Sequence, residues 1–224
     1  GATLTADRNG AASSAYSFDG VDDYIRTQSA NGFPVGTDSF TLSCWINPAL
    51  IDGNHRMILA NQQMNQFQWN LNIPSTSNNT SVDFYTGGRV QHSGSMNWVL
   101  GQWYHLLVTR SGGTLKCYRD GVEVSMDDIS PATLGNGATG DNLQLFFGRR
   151  NNTDHPFNGK IDDIRIYNRA LGAAEVTELY TLEKPPPVFA PAITTHPVSQ
   201  TATEGANVSF TVDANGTGLT YQWQ

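Results

Sequence analysis

The chain has 224 residues, only 15% of them charged, and a formal net charge of −7. Together with abundant Asn, Ser, Thr and Gly, this is the balance of a turn-rich, extracellular β protein and not of a helical cytosolic enzyme. Thirteen Lys and Arg lie scattered without a run, which excludes the basic footprint of a nucleic-acid binder. No stretch reaches the roughly 18 consecutive apolar residues of a membrane span and no basic-then-apolar leader opens the chain, so membrane insertion is not expected.

In chain order, the first motif is FDGVDDY (Phe18–Tyr24), an acidic turn in which Asp19, Asp22 and Asp23 offer the hard oxygen ligands that calcium prefers. DG and DD pairs are also ordinary turn formers. FTLSCWINP (Phe40–Pro48) follows with period two, placing Phe40, Leu42, Cys44 and Ile46 toward a core and Trp45 and Asn47 on the opposite face. The same parity puts Phe67, Trp69, Leu71 and Ile73 inward and Gln68, Asn70 and Asn72 outward. It sets Asp83 and Tyr85 opposite Val82 and Phe84, and His105 opposite Tyr104, Leu106 and Val108. Cys44 and Cys117 are the only cysteines and both carry core parity, so they read as small hydrophobes, with a bridge between them left open. DDIRIY (Asp162–Tyr167) predicts a strand with Ile164 and Ile166 inward and Asp162 on their side, where a carboxylate needs a cation or an arginine. In Leu171–Tyr180 the spacing of Val176, Leu179 and Tyr180 changes to that of a short helix.

From 183 to 192 the chain reads EKPPPVFAPA, an extended proline-rich connector. Residues 1–182 form the first domain. Residues 193–224, in which Val208, Phe210 and Val212 alternate ahead of Trp223, resemble the first strands of a bacterial immunoglobulin-like domain. Such a domain needs about 100 residues, so its core cannot close within 32, and further domains of the same chain are expected.

Four segments, FDGVDDY, FTLSCWINP, GQWYHLLVTRSGGTLKCYRDGVEV (Gly101–Val124) and GKIDDIRIYNRALGAAEVTELY (Gly159–Tyr180), in that order, resemble a laminin-G-like jelly-roll module of the concanavalin A-like lectin and glucanase superfamily. The resemblance implies an all-β, two-sheet antiparallel jelly-roll sandwich with a short C-terminal helix. It also implies a structural calcium held by Asp162 of the last strand together with the N-terminal strand, for which Asp19 is the partner candidate. The two-Glu strand pattern of the laminarinase-like enzymes and the Arg-Glu-Arg and Gln-x-His strands of jelly-roll alginate lyases do not occur, so no enzyme is expected.

Lectin-like relatives bind in the trough of a sheet or on its rim. The expected ligand-binding set is therefore Trp45, Asn47, Gln68, Asn70, Asn72, Asp83, Tyr85, Arg89 and His105, whose amides, carboxylate and aromatic faces suit sugar hydroxyls and a pyranose face. Arg56, Arg89, His92, Arg149 and Arg150 are an alternative cationic set for an anionic polymer. The expected function is a non-catalytic module binding a polysaccharide within a larger secreted or cell-surface bacterial protein. An adhesion or spacer module and a divergent hydrolase or lyase are the rivals.

Overall fold

The computed structural model describes residues 1–28, 38–63, 66–73, 83–86, 89–112, 114–126, 144–150, 155–187 and 189–222. They fall into two units, 1–184 and 185–224. In the first, thirteen strands precede one helix: β1 (Thr3–Thr5), β2 (Ala15–Asp19), β3 (Ile25–Arg26), β4 (Phe40–Pro48), β5 (Arg56–Gln63), β6 (Gln66–Ile73), β7 (Asp83–Thr86), β8 (Arg89–His92), β9 (Tyr104–Ser111), β10 (Thr114–Arg119), β11 (Val122–Val124), β12 (Gln144–Phe147), β13 (Asn158–Tyr167) and α1 (Ala173–Glu183). Among the described residues every pairing is antiparallel, in a seven-stranded sheet ordered β1-β2-β13-β4-β9-β10-β11 and a six-stranded sheet ordered β3-β12-β5-β6-β7-β8. This is the expected jelly-roll sandwich.

The period-two pattern is what closes it. Phe40, Leu42, Cys44 and Ile46 of β4, Leu106 and Val108 of β9 and Cys117 of β10 meet Ile58, Leu59, Leu71, Ile73 and Leu145 of the other sheet in one buried cluster. Both cysteines are free. Cys44 pairs with Leu106 and Cys117 with Val108, which leaves them two strands apart and offset, about 11 Å between Cα atoms and beyond the reach of a disulfide. Gly159 has φ +147°, and a Cβ there would run into the Asn47 carbonyl, so glycine allows β13 its close approach to β4.

Two departures from simple alternation decide the functional account. First, β4 is buried on both faces along its whole length, as is β9 from Tyr104 to Arg110. A second, smaller core of Leu107, Tyr118, Leu171 and Val176, flanked by Tyr167 and Leu179, lies between the outer face of this sheet and α1. Second, the β13–β4 register shifts between Asp162 and Arg165, with Asp163 at φ +44°. This bulge reverses the parity of the strand. Ile161 is in the core and Ile166 packs against it, while Ile164 is exposed. Asp162, the register partner of Trp45, therefore lies on the outer face with it and not inward with Ile166 as expected.

The helix runs three residues beyond the expected end, through Glu183. Its first turn is held by Glu175, which accepts from the Gly172 N–H at 2.8 Å and takes both guanidinium nitrogens of Arg169. Among its described residues, the second unit has one antiparallel pair, β14 (Ala192–Thr195) with β15 (Asp213–Asn215). Val208 and Phe210, expected on a strand, are outside regular structure and exposed, and Trp223 lies outside the described residues.

Candidate functional site

The residues expected to share one trough are divided between the two sheets. Trp45, Asn47 and His105 belong to β4 and β9 of the seven-stranded sheet, whereas Gln68, Asn70, Asn72, Asp83, Tyr85 and Arg89 belong to β6, β7 and β8 of the other. They cannot contact one ligand together. The reason is hydrogen-bonding topology, since β4 is bonded to β13 and β9 while β6 is bonded to β5 and β7.

On the seven-stranded sheet, the three residues are structural. Trp45 is 2% exposed and sandwiched: Tyr180 stacks on it at 5.9 Å, the Arg8 guanidinium lies 4.6 Å over the ring, and its Nε1 donates to Glu183 Oε2 at 2.8 Å. His105 is fully buried, with Nε2 2.7 Å from Ser43 Oγ and its ring stacked on Tyr180. Burial first, and then the charges of Arg165 and Arg8, push its pKa down to about 4. The imidazole is thus neutral at pH 7, and the 3.8 Å approach of Glu183 is a polar contact and not an ion pair. Asn47 is buried and donates to the Gly101 carbonyl, pinning a loop.

Asp19 and Asp162 do not meet either. The register sets Asp19 opposite Asn158, four residues from Asp162, or about 13 Å along the strand. Asp162 accepts from the Asp163 N–H and from Arg8, whose other nitrogen bonds Asp163. Burial is the largest influence on its carboxyl and raises the pKa in spite of those bonds. The compensating arginine is thus Arg8, a residue that no sequence motif marked. Asp19 instead joins Asp22 and Asp23, with ligand atoms all within 4.8 Å of one another. Asp19 Oδ1 accepts from Val21 N and Asp22 N, bonds that lower its pKa, while Asp23 accepts from Asp19 N. Three carboxylates on one turn are a donor set for a hard cation, and Asp23 Oδ1 already pairs with a cation, the N-terminal ammonium, at 3.0 Å.

The outer face of the six-stranded sheet carries the remaining candidates. Side chains of Gln68, Asn70, Asp83, Tyr85 and Arg89 lie outside the described residues, but their backbone register is defined. Asn70 pairs with Tyr85, and Asn72 pairs with Asp83, which pairs in turn with His92. Leu71 and Ile73 are in the core, so Asn72 has the opposite parity. Asn72 Oδ1 receives the Nδ1 proton of His55 at 3.0 Å, and the His55 ring meets His155 edge-on at 5.1 Å. This rim is braced by the buried Arg56, which bonds both oxygens of Asp52 (3.1 and 2.5 Å) and the Pro156 carbonyl. The guanidinium holds the Asp52 pKa at about 2. Arg149 is likewise buried, donating to the Asp22 carbonyl. Two members of the expected cationic set are therefore committed to internal bonds.

A laminin-G-like family model of the concanavalin A-like lectin/glucanases superfamily matches residues 19–177. No curated protein matches the chain. Among solved structures, the ligand-binding domain of botulinum neurotoxin serotype D in complex with N-acetylneuraminic acid aligns with 82% of this chain and 46% of its own, at 16% identity and a TM-score of 0.59. Trypanosoma rangeli sialidase aligns over 80% of this chain, at 17% identity and a TM-score of 0.54; the match spans only 29% of the sialidase. The SAP-like pentraxin of Limulus polyphemus aligns over 75% of this chain and 82% of its own, at 16% identity and a TM-score of 0.52. The chain belongs to the concanavalin A-like lectin/glucanases superfamily, through its laminin-G-like family.

Proposed function

We propose that the jelly roll is a non-catalytic module that binds a neutral polysaccharide on the outer face of its six-stranded sheet, within a larger secreted multidomain protein. The observation that carries this reading is the in-register row across β6, β7 and β8, Asn70–Tyr85 beside Asp83–His92, bordered by the buried Asn72 that holds His55. Amides that donate and accept at once, next to a phenol and imidazoles, match the hydroxyls and apolar faces of pyranose rings. The opposite sheet offers no such surface at its centre, because α1 and Arg8 cover Trp45 and His105. Commitment of Arg56 and Arg149 to internal bonds favours a neutral polymer over a sulfated one.

The sugar complex of the neurotoxin domain supports a carbohydrate ligand for this fold, and the sialidase keeps hydrolysis as the alternative. Against hydrolysis, the described glutamates of the jelly roll do not form a strand-borne pair: Glu123 pairs with Lys116, and Glu175 pairs with Arg169. Most retaining glycosidases need two carboxylates about 5 Å apart across the substrate; sialidases, with a Tyr nucleophile, do not, so this counts against glucanase-type hydrolysis. For calcium, we place the ion at Asp19, Asp22 and Asp23 in place of the Asp19–Asp162 pair, with a structural role in holding the β2–β3 turn. Affinity electrophoresis through gels containing neutral or anionic polysaccharides tests the reading: retardation by a neutral polymer without released sugar is expected, and released product would replace binding by catalysis.

A further inference from the structure

We propose that the outer face of β4 and β13, where α1 ends, is a guanidinium-binding site that the chain fills in cis with Arg8, and that its occupancy holds the last turn of α1 on the sheet. This does not depend on glycan binding, which is assigned to the other sheet. The cradle engages all three nitrogens and one face of the ion. Nε donates to the Glu183 carbonyl at 2.8 Å, one terminal nitrogen donates to Asp162 at 2.8 Å and the other to Asp163 at 2.7 Å. The guanidinium carbon lies 4.6 Å from the centre of the Trp45 ring, and the Arg8 side chain is only 6% exposed.

Two features mark the cradle as shaped for that ion. Successive residues of a regular strand point to opposite faces, so one group cannot take both. In β13 the register shifts between Asp162 and Arg165 and Asp163 turns to φ +44°, a conformation uncommon outside glycine; both carboxylates thereby reach the same guanidinium. Such strain persists where neighbouring bonds impose it, and it gathers at functional sites. The charges then fix what can bind. Asp162, Asp163 and Glu183 face the cations Arg8 and Arg165, so removal of Arg8 leaves three carboxylates against one guanidinium. Two carboxylates and a carbonyl beside an indole face suit a planar, stacking cation, whereas an ammonium is a compact point charge that cannot meet them all at once.

Arg8 is presented by a turn that holds its own shape. Asp7 Oδ1 accepts from the Asn9 and Ala11 N–H groups, both at 2.8 Å, while residues 9–14 are exposed. The buried Arg8 side chain thus joins an otherwise exposed loop to the carbonyl of Glu183, one residue before the helix cap at Lys184. Withdrawal of that side chain frees the end of α1 and opens the cradle to another arginine side chain.

The test uses the full chain carrying Arg8→Ala, titrated with methylguanidinium up to about 10 mM, far below the molar concentrations at which guanidinium denatures. Methylammonium at the same ionic strength is the control, and the readouts are melting temperature and amide exchange of residues 180–184. Arg8→Ala should speed exchange of those amides roughly tenfold more than exchange in β4. Methylguanidinium should reverse this saturably and raise the melting temperature. Methylammonium should not, and Arg8→Lys should behave like Arg8→Ala. Adding Asp163→Asn, which tolerates the left-handed backbone, should raise the methylguanidinium midpoint by roughly tenfold. If Arg8→Ala does not fold alone, the same titration is read as recovery of folded protein. No saturable rescue, equal rescue by methylammonium, a midpoint unmoved by Asp163→Asn, or α1 exchange no faster than in wild type would overturn the assignment. Glycan retardation of the wild-type protein is a separate readout, so failure of one leaves the other standing.

Discussion

Trp45 and Glu183 are joined by a 2.8 Å hydrogen bond from the indole of the central strand β4 to the carboxylate that ends α1. The same carboxylate is ion-paired with Arg165, and the Glu183 carbonyl receives Arg8 Nε. The last helical residue before the proline-rich segment is thereby tied to β4, β13 and the N-terminal segment at once. Glu183→Ala should lower stability by about 2–3 kcal/mol, because it removes a buried charged acceptor and leaves the facing cations uncompensated. Glu183→Gln, which keeps an acceptor for the indole, should cost less. Chemical denaturation of the two variants measures the difference, and glycan binding should be unchanged in both wherever they are folded.

His105 supplies a pH signature. Its folded pKa of about 4 lies below the ordinary 6.5, so the unfolded chain binds the proton more readily. Stability from the neutral, buried ring is complete above about pH 6.5 and falls as pH drops toward 4, by an amount on the order of 3 kcal/mol. Denaturation midpoints followed from pH 7 to pH 4 should show this loss, and His105→Gln should flatten the slope over that window.

Much of this fold is legible in the sequence, and the misplacement of Trp45 and His105 has a specific cause. Alternation identifies which residues leave the core, but not whether the face they reach is solvent or a second layer. The signal was present at Leu107, an apolar residue on the outward parity of β9, and at Val176, Leu179 and Tyr180, which need a surface to pack against. The bulge at Asp163 had no such marker, because its φ of +44° is carried by an aspartate and not a glycine. Arg8 was invisible for a different reason: its partners Asp162 and Asp163 lie more than 150 positions away. The placing of Asn70, Asn72, Asp83 and Tyr85 on one face by parity, by contrast, agrees with the β6–β7 register, which pairs Asn70 with Tyr85 and Asn72 with Asp83.

The acidic turn predicts a metal response. If Asp19, Asp22 and Asp23 hold calcium, chelator should lower the melting temperature and added Ca²⁺ should restore it, with Asp22→Asn reducing the response. Asp162→Asn should leave the calcium response intact while destabilising the protein through the loss of a partner for Arg8. Identical melting curves with chelator and with calcium would remove the ion from the account.

Salt separates the two ligand classes. Binding built on amides and stacking should persist at high ionic strength, whereas binding through cations would weaken steeply as charges are screened. Retention on a neutral polymer should therefore be nearly unchanged between low and high salt, and Arg89→Ala should have little effect.

We propose that the six-stranded sheet, and not the helix-covered one, meets the glycan. The most direct test is affinity electrophoresis of wild type, Asn70→Ala, Tyr85→Ala and Trp45→Phe in the polysaccharide that retards the wild type, with the gel assayed for released sugar. Asn70→Ala and Tyr85→Ala should lose retardation while keeping their melting temperatures, Trp45→Phe should keep retardation despite reduced stability, and no sugar should be released. Retardation that survives both six-stranded-sheet substitutions, or is lost only in Trp45→Phe at a temperature where that variant is folded, would contradict it.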